Sequence, residues 1–509
     1  MERKWWTLIV VCVASFMLLL DITIVNVALP AIERSLKANF SDLQWVVDAY
    51  ALALATCVLT GGALADLYGR KRLFLIGVVL FTIASTACGA ANDPLFLIVA
   101  RGVQGLGGAL MFATALALLS QEFHGRERGT AFGLWGATIG AAVAVGPLAG
   151  GMLTSWLSWR WIFLVNIPIG VAAVLLGSTQ LHESKDPDHA RIDPPGLVTL
   201  TGGLLCLILG LIEGSKQGWT SGVIVALFVA AAVLLALFVA TQATERVTMI
   251  DLSLFGRPAF VGAQITAFAI SSTLFAMFLY ITLYLQNILG LSALQTGVRF
   301  LPLSLLAFLV APLAGRLSSR LPIRALLGTG LALCAIAMWL MSLVTVHSSW
   351  LVLLPGFVVG GVGIGLVNAP LATTAVSTVR VERAGMASGI NNTFRQVGIA
   401  TGIAALGAIF QNHVHTKVIH ALGSLPNAGA IARAFTNGQQ AQAIAAAPAS
   451  LRPELVAAAR ASFVSGFHEI LVVGAIVAAV GAVLAAVLVR PQDFVASGPP
   501  RPAPQPGSH

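Results

Sequence analysis

Fourteen runs of about twenty mostly apolar residues recur along the 509-residue chain, and no soluble fold has room for them. With soft ends they fall at 5–29, 45–66, 73–91, 95–118, 129–152, 161–181, 196–213, 221–241, 259–286, 294–315, 325–344, 350–375, 385–410 and 467–489. Each is long enough to carry a helix across the ~30 Å hydrocarbon core of a bilayer. The runs are continuous rather than ~10-residue alternating segments, which excludes a transmembrane β-barrel. Composition agrees: 57% of residues are hydrophobic and 10% charged, where a soluble domain carries roughly 25% charged residues. Too few polar residues remain to cover a water-facing surface, so soluble enzymes, nucleic-acid binders and disordered chains are excluded.

The net charge of +9 is topological. With the N-terminus in the cytoplasm, the inner segments and tails hold 18 Lys and Arg and the short outer loops hold 4. This asymmetry orients membrane proteins, and it places both termini inside. The positive charge therefore calls for no nucleic-acid partner. Cys12, Cys57, Cys88, Cys206 and Cys334 all lie in apolar runs without metal-type spacing, so no disulfide framework or zinc site is expected. The first run continues through Asp21 to Pro30 with no small-residue cleavage site, and reads as a retained span.

Two connections are long. Residues 182–195 form a polar inner linker, and 411–466 an Ala-rich outer segment with room for one or two surface helices. The tail 491–509, rich in Pro and Gly, reads as disordered. A weak internal repeat pairs Gly62-Ala-Leu-Ala-Asp66-Leu-Tyr-Gly69-Arg70-Lys71-Arg72 with Gly315-Arg-Leu-Ser-Ser319-Arg-Leu-Pro322-Ile-Arg324. Related halves are common in secondary transporters. In the second copy the acid is lost.

These residues carry a family resemblance. The 62–73 segment is similar to the GxLaDrxGrkxxl loop of the major facilitator superfamily, with Leu67 in place of the usual basic residue. Arg101-Gly-Val-Gln104-Gly105-Leu-Gly107-Gly108 resembles its fourth-span motif, and Gly146-Pro147-Leu-Ala-Gly150-Gly151 the fifth-span motif of its antiporters. The stretches 20–30 and 159–170 resemble the first- and sixth-span signatures of the fourteen-span drug:proton antiporter branch. The resemblance implies an all-α polytopic membrane protein. Two six-helix bundles (1–181 and 259–490) would flank a linker with two inserted transmembrane helices (182–258).

Ionisable residues inside a bilayer are costly and point to function. Asp21, Asp48 and Arg101 are placed in the outer half of the first bundle. A carboxylate near a guanidinium there can load and release a proton, so Asp21 and Arg101 are assigned to proton coupling. Asp48, with Trp45 and Tyr50, offers an acid and aromatics to a lipophilic cation. Asn391 and Arg395 in the thirteenth span complete the expected substrate-binding set. By resemblance, Gly62, Asp66, Gly69, Arg70, Lys71 and Arg72 form a conformational latch that docks on the second bundle. Gly146, Pro147, Gly150 and Gly151 make a bend at the bundle interface that prevents leak.

His413, His415 and His420 read as solvated side chains, so no metal site is expected. There is no nucleotide loop, which leaves the proton gradient as the energy source and no cofactor. The resulting expectation is a monomeric, proton-coupled antiporter in the cytoplasmic membrane. It would export lipophilic, cationic drugs and so confer multidrug resistance. Alternatives are the same fold exporting a metabolite or self-made antibiotic, a passive channel or sensor, and a membrane-embedded enzyme. The last lacks any polar catalytic cluster in the sequence.

Overall fold

The computed structural model describes residues 2–38, 40–185, 193–244, 250–318, 320–379, 383–423, 425, 427–436 and 440–490. Part of the 182–195 linker, Ser319 and the 491–509 tail lie outside the described residues. Among those described there are seventeen α-helices and no strand. The first bundle contains α1 (Arg3–Leu36), α2 (Phe40–Tyr68), α3 (Arg70–Gly89), α4 (Pro94–Glu122), α5 (Gly125–Trp156) and the broken pair α6 (Trp161–Leu164) and α7 (Asn166–Gln180). An inserted pair follows, α8 (Pro194–Gln217) and α9 (Gly222–Thr244). The second bundle contains α10 (Pro258–Leu283), α11 (Ala293–Leu317), α12 (Ile323–Ser342), α13 (Leu354–Ser377), α14 (Ala384–Leu422) and α17 (Arg452–Leu488). Two short helices, α15 (Ala428–Thr436) and α16 (Gln440–Ala446), join the last two spans.

Local sequence explains several helix starts. Asp93 accepts from the Phe96 amide at 2.9 Å ahead of Pro94, and Asp193 from the Gly196 amide at 2.8 Å ahead of Pro194. An acceptor side chain followed by Pro satisfies amides that have no partner within the helix. A capping box, Ser292 with Gln295, starts α11. Thirteen helical segments among the described residues are long and apolar enough to cross a membrane. The 32-residue α5 is not among those thirteen and packs against both α1 and α11. Ile83, Leu95, Leu175, Val198 and Val483 are each more than 60% exposed, an arrangement that is stable only against lipid tails. The protein is a multi-pass membrane protein.

Successive spans alternate between two faces. The linker face carries the N-terminus, the α2–α3 turn and residues 182–185; there Arg3 donates to the carbonyls of Thr179 and Gln180. The hairpin face carries α15 and α16. There α14 and α17 run on past their apolar cores, and Phe435, Leu455 and Leu422 bury into the second bundle's core. The 411–466 segment is thus largely helical.

The bundles meet most closely toward the linker face. A Cβ placed on Gly62 of α2 would stand 2.6 Å from the Gly385 carbonyl oxygen of α14. On the other side Gly129 of α5 abuts Gly315 of α11, and a Cβ on Gly133 would stand 2.7 Å from Cα of Pro312. Small residues let two backbones touch where lipid supplies no hydrophobic drive. Of the inserted pair, α8 packs against both α2 and α14, with Thr60 and Thr201 hydroxyls 2.9 Å apart.

Candidate functional site

Asp21 is 1% exposed and lies near the midpoint of α1, because the helix runs on through Pro30 to Leu36. Arg101 of α4, also 1% exposed, pairs with its Oδ2. Gln104, one turn further along α4, donates to Asp21 Oδ1 at 2.9 Å and accepts from Arg101 at 2.8 Å. Asn166 reaches the same carboxylate oxygen at 3.4 Å and donates to Ser85 Oγ at 3.0 Å. Ser85 in turn donates to the Phe163 carbonyl at 2.9 Å. The Arg101 Nε donates to the Val46 carbonyl at 3.0 Å, and the guanidinium carbon stands 4.2 Å from the Tyr50 ring centroid. Four helices thus converge on one buried charge pair, with the remaining polar atoms hydrogen-bonded, as a charge in low dielectric requires.

Tyr50 belongs to this network. Its hydroxyl donates to the Leu18 carbonyl at 3.3 Å and its ring covers Arg101. On α2 it is 1% exposed and points inward, two residues from half-buried Asp48 and on another side of the helix. Asp48 and Trp45 are half-buried and lie outside the cavity described below.

The loop motif divides into two contacts. Asp66 accepts from the Gly385 amide at 3.1 Å and the Met386 amide at 2.7 Å, the first turn of α14. Arg70 holds the same carboxylate at 2.8 and 2.9 Å. A carboxylate at a helix N-terminus meets unpaired N–H groups and the positive end of the dipole. Lys71 and Arg72 do something else: their backbone amides donate to the Glu183 carboxylate, both at 3.1 Å, and Lys71 Nζ donates to the Ser178 carbonyl at 2.7 Å. Gly69 turns the chain at φ 112°, where a Cβ would stand 2.6 Å from Glu183. Gly69, Lys71 and Arg72 therefore contact the linker, Asp66 and Gly62 contact α14, and Arg70 serves both, its side chain on Asp66 and its amide donating to the Ser184 carbonyl at 2.9 Å.

The fifth-span glycines face different surroundings. Gly146 abuts Thr23, and a Cβ on Gly150 would stand 2.9 Å from Ile24 Cγ1; both neighbours are on α1. Gly151 has nothing within 4 Å of a Cβ. The helical backbone of α5 continues through Pro147. Gly146 and Gly150 of the motif pack α5 closely onto α1 within the first bundle.

Between the bundles lies a cavity of about 50 Å³, lined on one side by Ile139 and Gly140 of α5 and on the other by α10, α11, α13 and α14. Among the described residues its one charged lining residue is Arg395, which donates to Asn368 Oδ1 at 3.2 Å. Asn391 is buried beside it in sequence but turns to Gln264, donating at 3.2 Å. Its neighbour Asn392 reaches across to the Phe112 carbonyl of α4 at 3.1 Å. Among the described residues no cluster of potential metal ligands occurs.

A cavity between two bundles, each built on its own core, matches what the sequence motifs imply, and residues 11–403 match the profile of the Major Facilitator Superfamily. The chain belongs to the Major Facilitator Superfamily. It is 38% identical over 404 residues to the multidrug resistance protein Stp of Mycobacterium tuberculosis, covering 79% of this chain and 75% of that protein. It is 37% identical over 413 residues to the puromycin resistance protein pur8 of Streptomyces alboniger, covering 80% and 82%. The proton:xylose symporter XylE superposes with a TM-score of 0.65 at 12% identity over 96% of each chain, which speaks to the fold. This major facilitator is a transporter, and several of its relatives are named as resistance or export proteins.

Several residues of this facilitator's site were not assigned from sequence. Gln104 and Asn166 stood inside recognised motifs, a signal that was available. Ser85, Glu183, Asn368, Ser271 and Ser304 carried none, since a single polar residue in an apolar run looks like any other.

Proposed function

We propose that this facilitator exports lipophilic small molecules across the cytoplasmic membrane in exchange for protons. The observation that carries the reading is the buried Asp21–Arg101 pair, joined through α1 and α5 to the bundle crossing. Thr23 and Ile24, within a turn of Asp21, are the residues against which Gly146 and Gly150 pack. The same α5 crosses α11 at Gly129 and Gly133. Protonating Asp21 removes the charge that holds Arg101 and so loosens the link between α1 and α4. That change passes to α5 and biases the crossing.

With the linker face inward, the close glycine crossings and the Asp66 contact support reading this arrangement as closed to the cytoplasm. Release of the proton on the opposite side, when the crossing parts, completes the exchange. The cavity walls are mostly apolar, which suits lipophilic cargo. At about 50 Å³ the cavity is smaller than a drug-sized site, roughly 300–1,000 Å³, so cargo enters as the bundles separate. The expectation of a cationic cargo rests on Asp48, Trp45 and Tyr50; none of them lines the cavity, so the proposal does not require a positive charge.

The test is efflux of a cationic, a neutral and an anionic fluorescent dye from energised cells, with and without a protonophore. Efflux of at least one that collapses with the proton gradient supports the reading. Efflux that persists unchanged after collapse overturns proton coupling, and no efflux of any dye overturns export.

A further inference from the structure

The cavity holds a charge that the coupling scheme leaves unused. Arg395 is 8% exposed and lines it from α14. Among the described residues no carboxylate stands within ion-pair distance of it; its side-chain partner is the neutral Asn368 amide. Two further polar groups line the same cavity, Ser271 of α10 and Ser304 of α11. Both hydroxyls are buried and neither has a hydrogen-bond partner. Most other hydroxyls in these spans bond back to their own helix, as Thr273 does to the Ala269 carbonyl at 2.7 Å.

A guanidinium only donates, and a hydroxyl is free to donate. The group that satisfies all three at once is an acceptor with full negative charge. Burying a cation without a counter-charge is costly, so the seat is complete only when an anion occupies it. Its size fits a head group rather than a whole drug: about 50 Å³, where one water needs roughly 10–15 Å³. Ile139, Ile270, Leu274 and Phe278 surround the seat with apolar surface suited to the rest of the molecule. All four polar groups belong to the second bundle, while Ile139 and Gly140 of α5 roof the seat from the first. Parting α5 from α11 therefore uncovers it.

We propose that this seat binds the anionic head, carboxylate or sulfonate, of a lipophilic substrate. The inference rests on the export reading above and names its substrate class. Arg395 supplies the counter-charge, Asn368 orients it, and the Ser271 and Ser304 hydroxyls donate to the same head.

The experiment uses inverted membrane vesicles energised by a proton gradient and three cargoes: naphthalene-2-sulfonate, its neutral sulfonamide, and ethidium. The wild type is expected to accumulate the sulfonate in a protonophore-sensitive way. Arg395→Gln should lower sulfonate accumulation about tenfold or more and change the neutral isostere less than twofold, with Arg395→Lys recovering part of the loss. If Arg395→Gln does not reach the membrane, Ser271→Ala/Ser304→Ala serves instead, with an expected loss of about threefold to tenfold confined to the sulfonate. Carriage of ethidium or the neutral isostere but not the sulfonate overturns the anion seat and leaves export standing. Equal loss of all cargoes in variants present at wild-type level does the same. Transport that depends on chloride, with no preference for the sulfonate, assigns the seat to an inorganic ion and overturns the substrate assignment. Accumulation of none of the three overturns export itself.

Discussion

Arg101 and Arg395 are both buried guanidiniums within spans, one in each bundle, and they are held in opposite ways. Arg101 is saturated: a carboxylate, a glutamine, a backbone carbonyl and an aromatic ring surround it. Arg395 has one amide partner and an opening. The difference follows from position. Arg101 lies where α1, α2 and α4 of one bundle converge, so side chains on three helices reach it. Arg395 lies at the seam between bundles, where among the described residues the facing helix offers Ile139 and Gly140. A charge inside a bundle is kept by the fold, whereas a charge on the seam waits for something that comes and goes.

The contrast breaks most visibly at Asp21. Asp21→Asn leaves Arg101 buried without its counter-charge, a change that costs about 3–5 kcal/mol in comparable buried pairs. Proton-driven efflux of every dye is expected to cease and the thermal midpoint of the purified protein to fall. Adding Arg101→Gln should recover the midpoint without recovering efflux. Recovery of efflux in the double variant would show that the pair serves packing alone.

A smaller loss is expected at the linker face. Asp66→Asn weakens the charge-assisted contact to the Gly385 and Met386 amides and frees Arg70. Efflux should drop several-fold with protein still in the membrane, whereas Glu183→Gln, which touches only the linker docking, should cost less. Equal effects in efflux assays of the two variants would merge the contacts that the geometry separates.

The least change is expected from Asp48→Asn. Standing outside the cavity, it should leave sulfonate transport within twofold of wild type in the vesicle assay. A tenfold loss would move the binding site outward, toward the acid and aromatics read from the sequence. Orientation is checked separately: in a chain without its five native cysteines, an impermeant thiol reagent applied to intact cells should label Cys placed at Ser450 and spare Cys at Ser184.

The spans were legible because an apolar run of twenty residues admits few other structures, and the motifs because they occur in order along the chain. Depth and direction were less so. Pro30 suggests the end of the first helix, yet α1 continues six residues beyond it to Leu36, so a proline in an apolar run does not by itself mark where a helix stops. Tyr50 and Asp48 are two residues apart, so a helix turns them roughly 200° from each other; adjacency in sequence does not put two side chains on one face. The glycine motif announced close packing but not its partner, and that partner is α1. Ser271 and Ser304 were invisible: hydroxyls in spans are common, and only the packed structure separates those without a partner from those bonded to their own helix.

The glycine crossings at Gly62–Gly385 and Gly129–Gly315 have a mechanical consequence. Side chains that interlock like gear teeth must be withdrawn before two helices separate, and that withdrawal slows a moving joint. Bare backbones pressed together have no teeth. They make a flat valve seat that blocks passage when closed and lifts without dragging its neighbours. Holding such a valve shut then falls to a separate bolt, the Asp66 carboxylate on the first amides of α14, so tightness and retention are set by different atoms and can be altered one at a time.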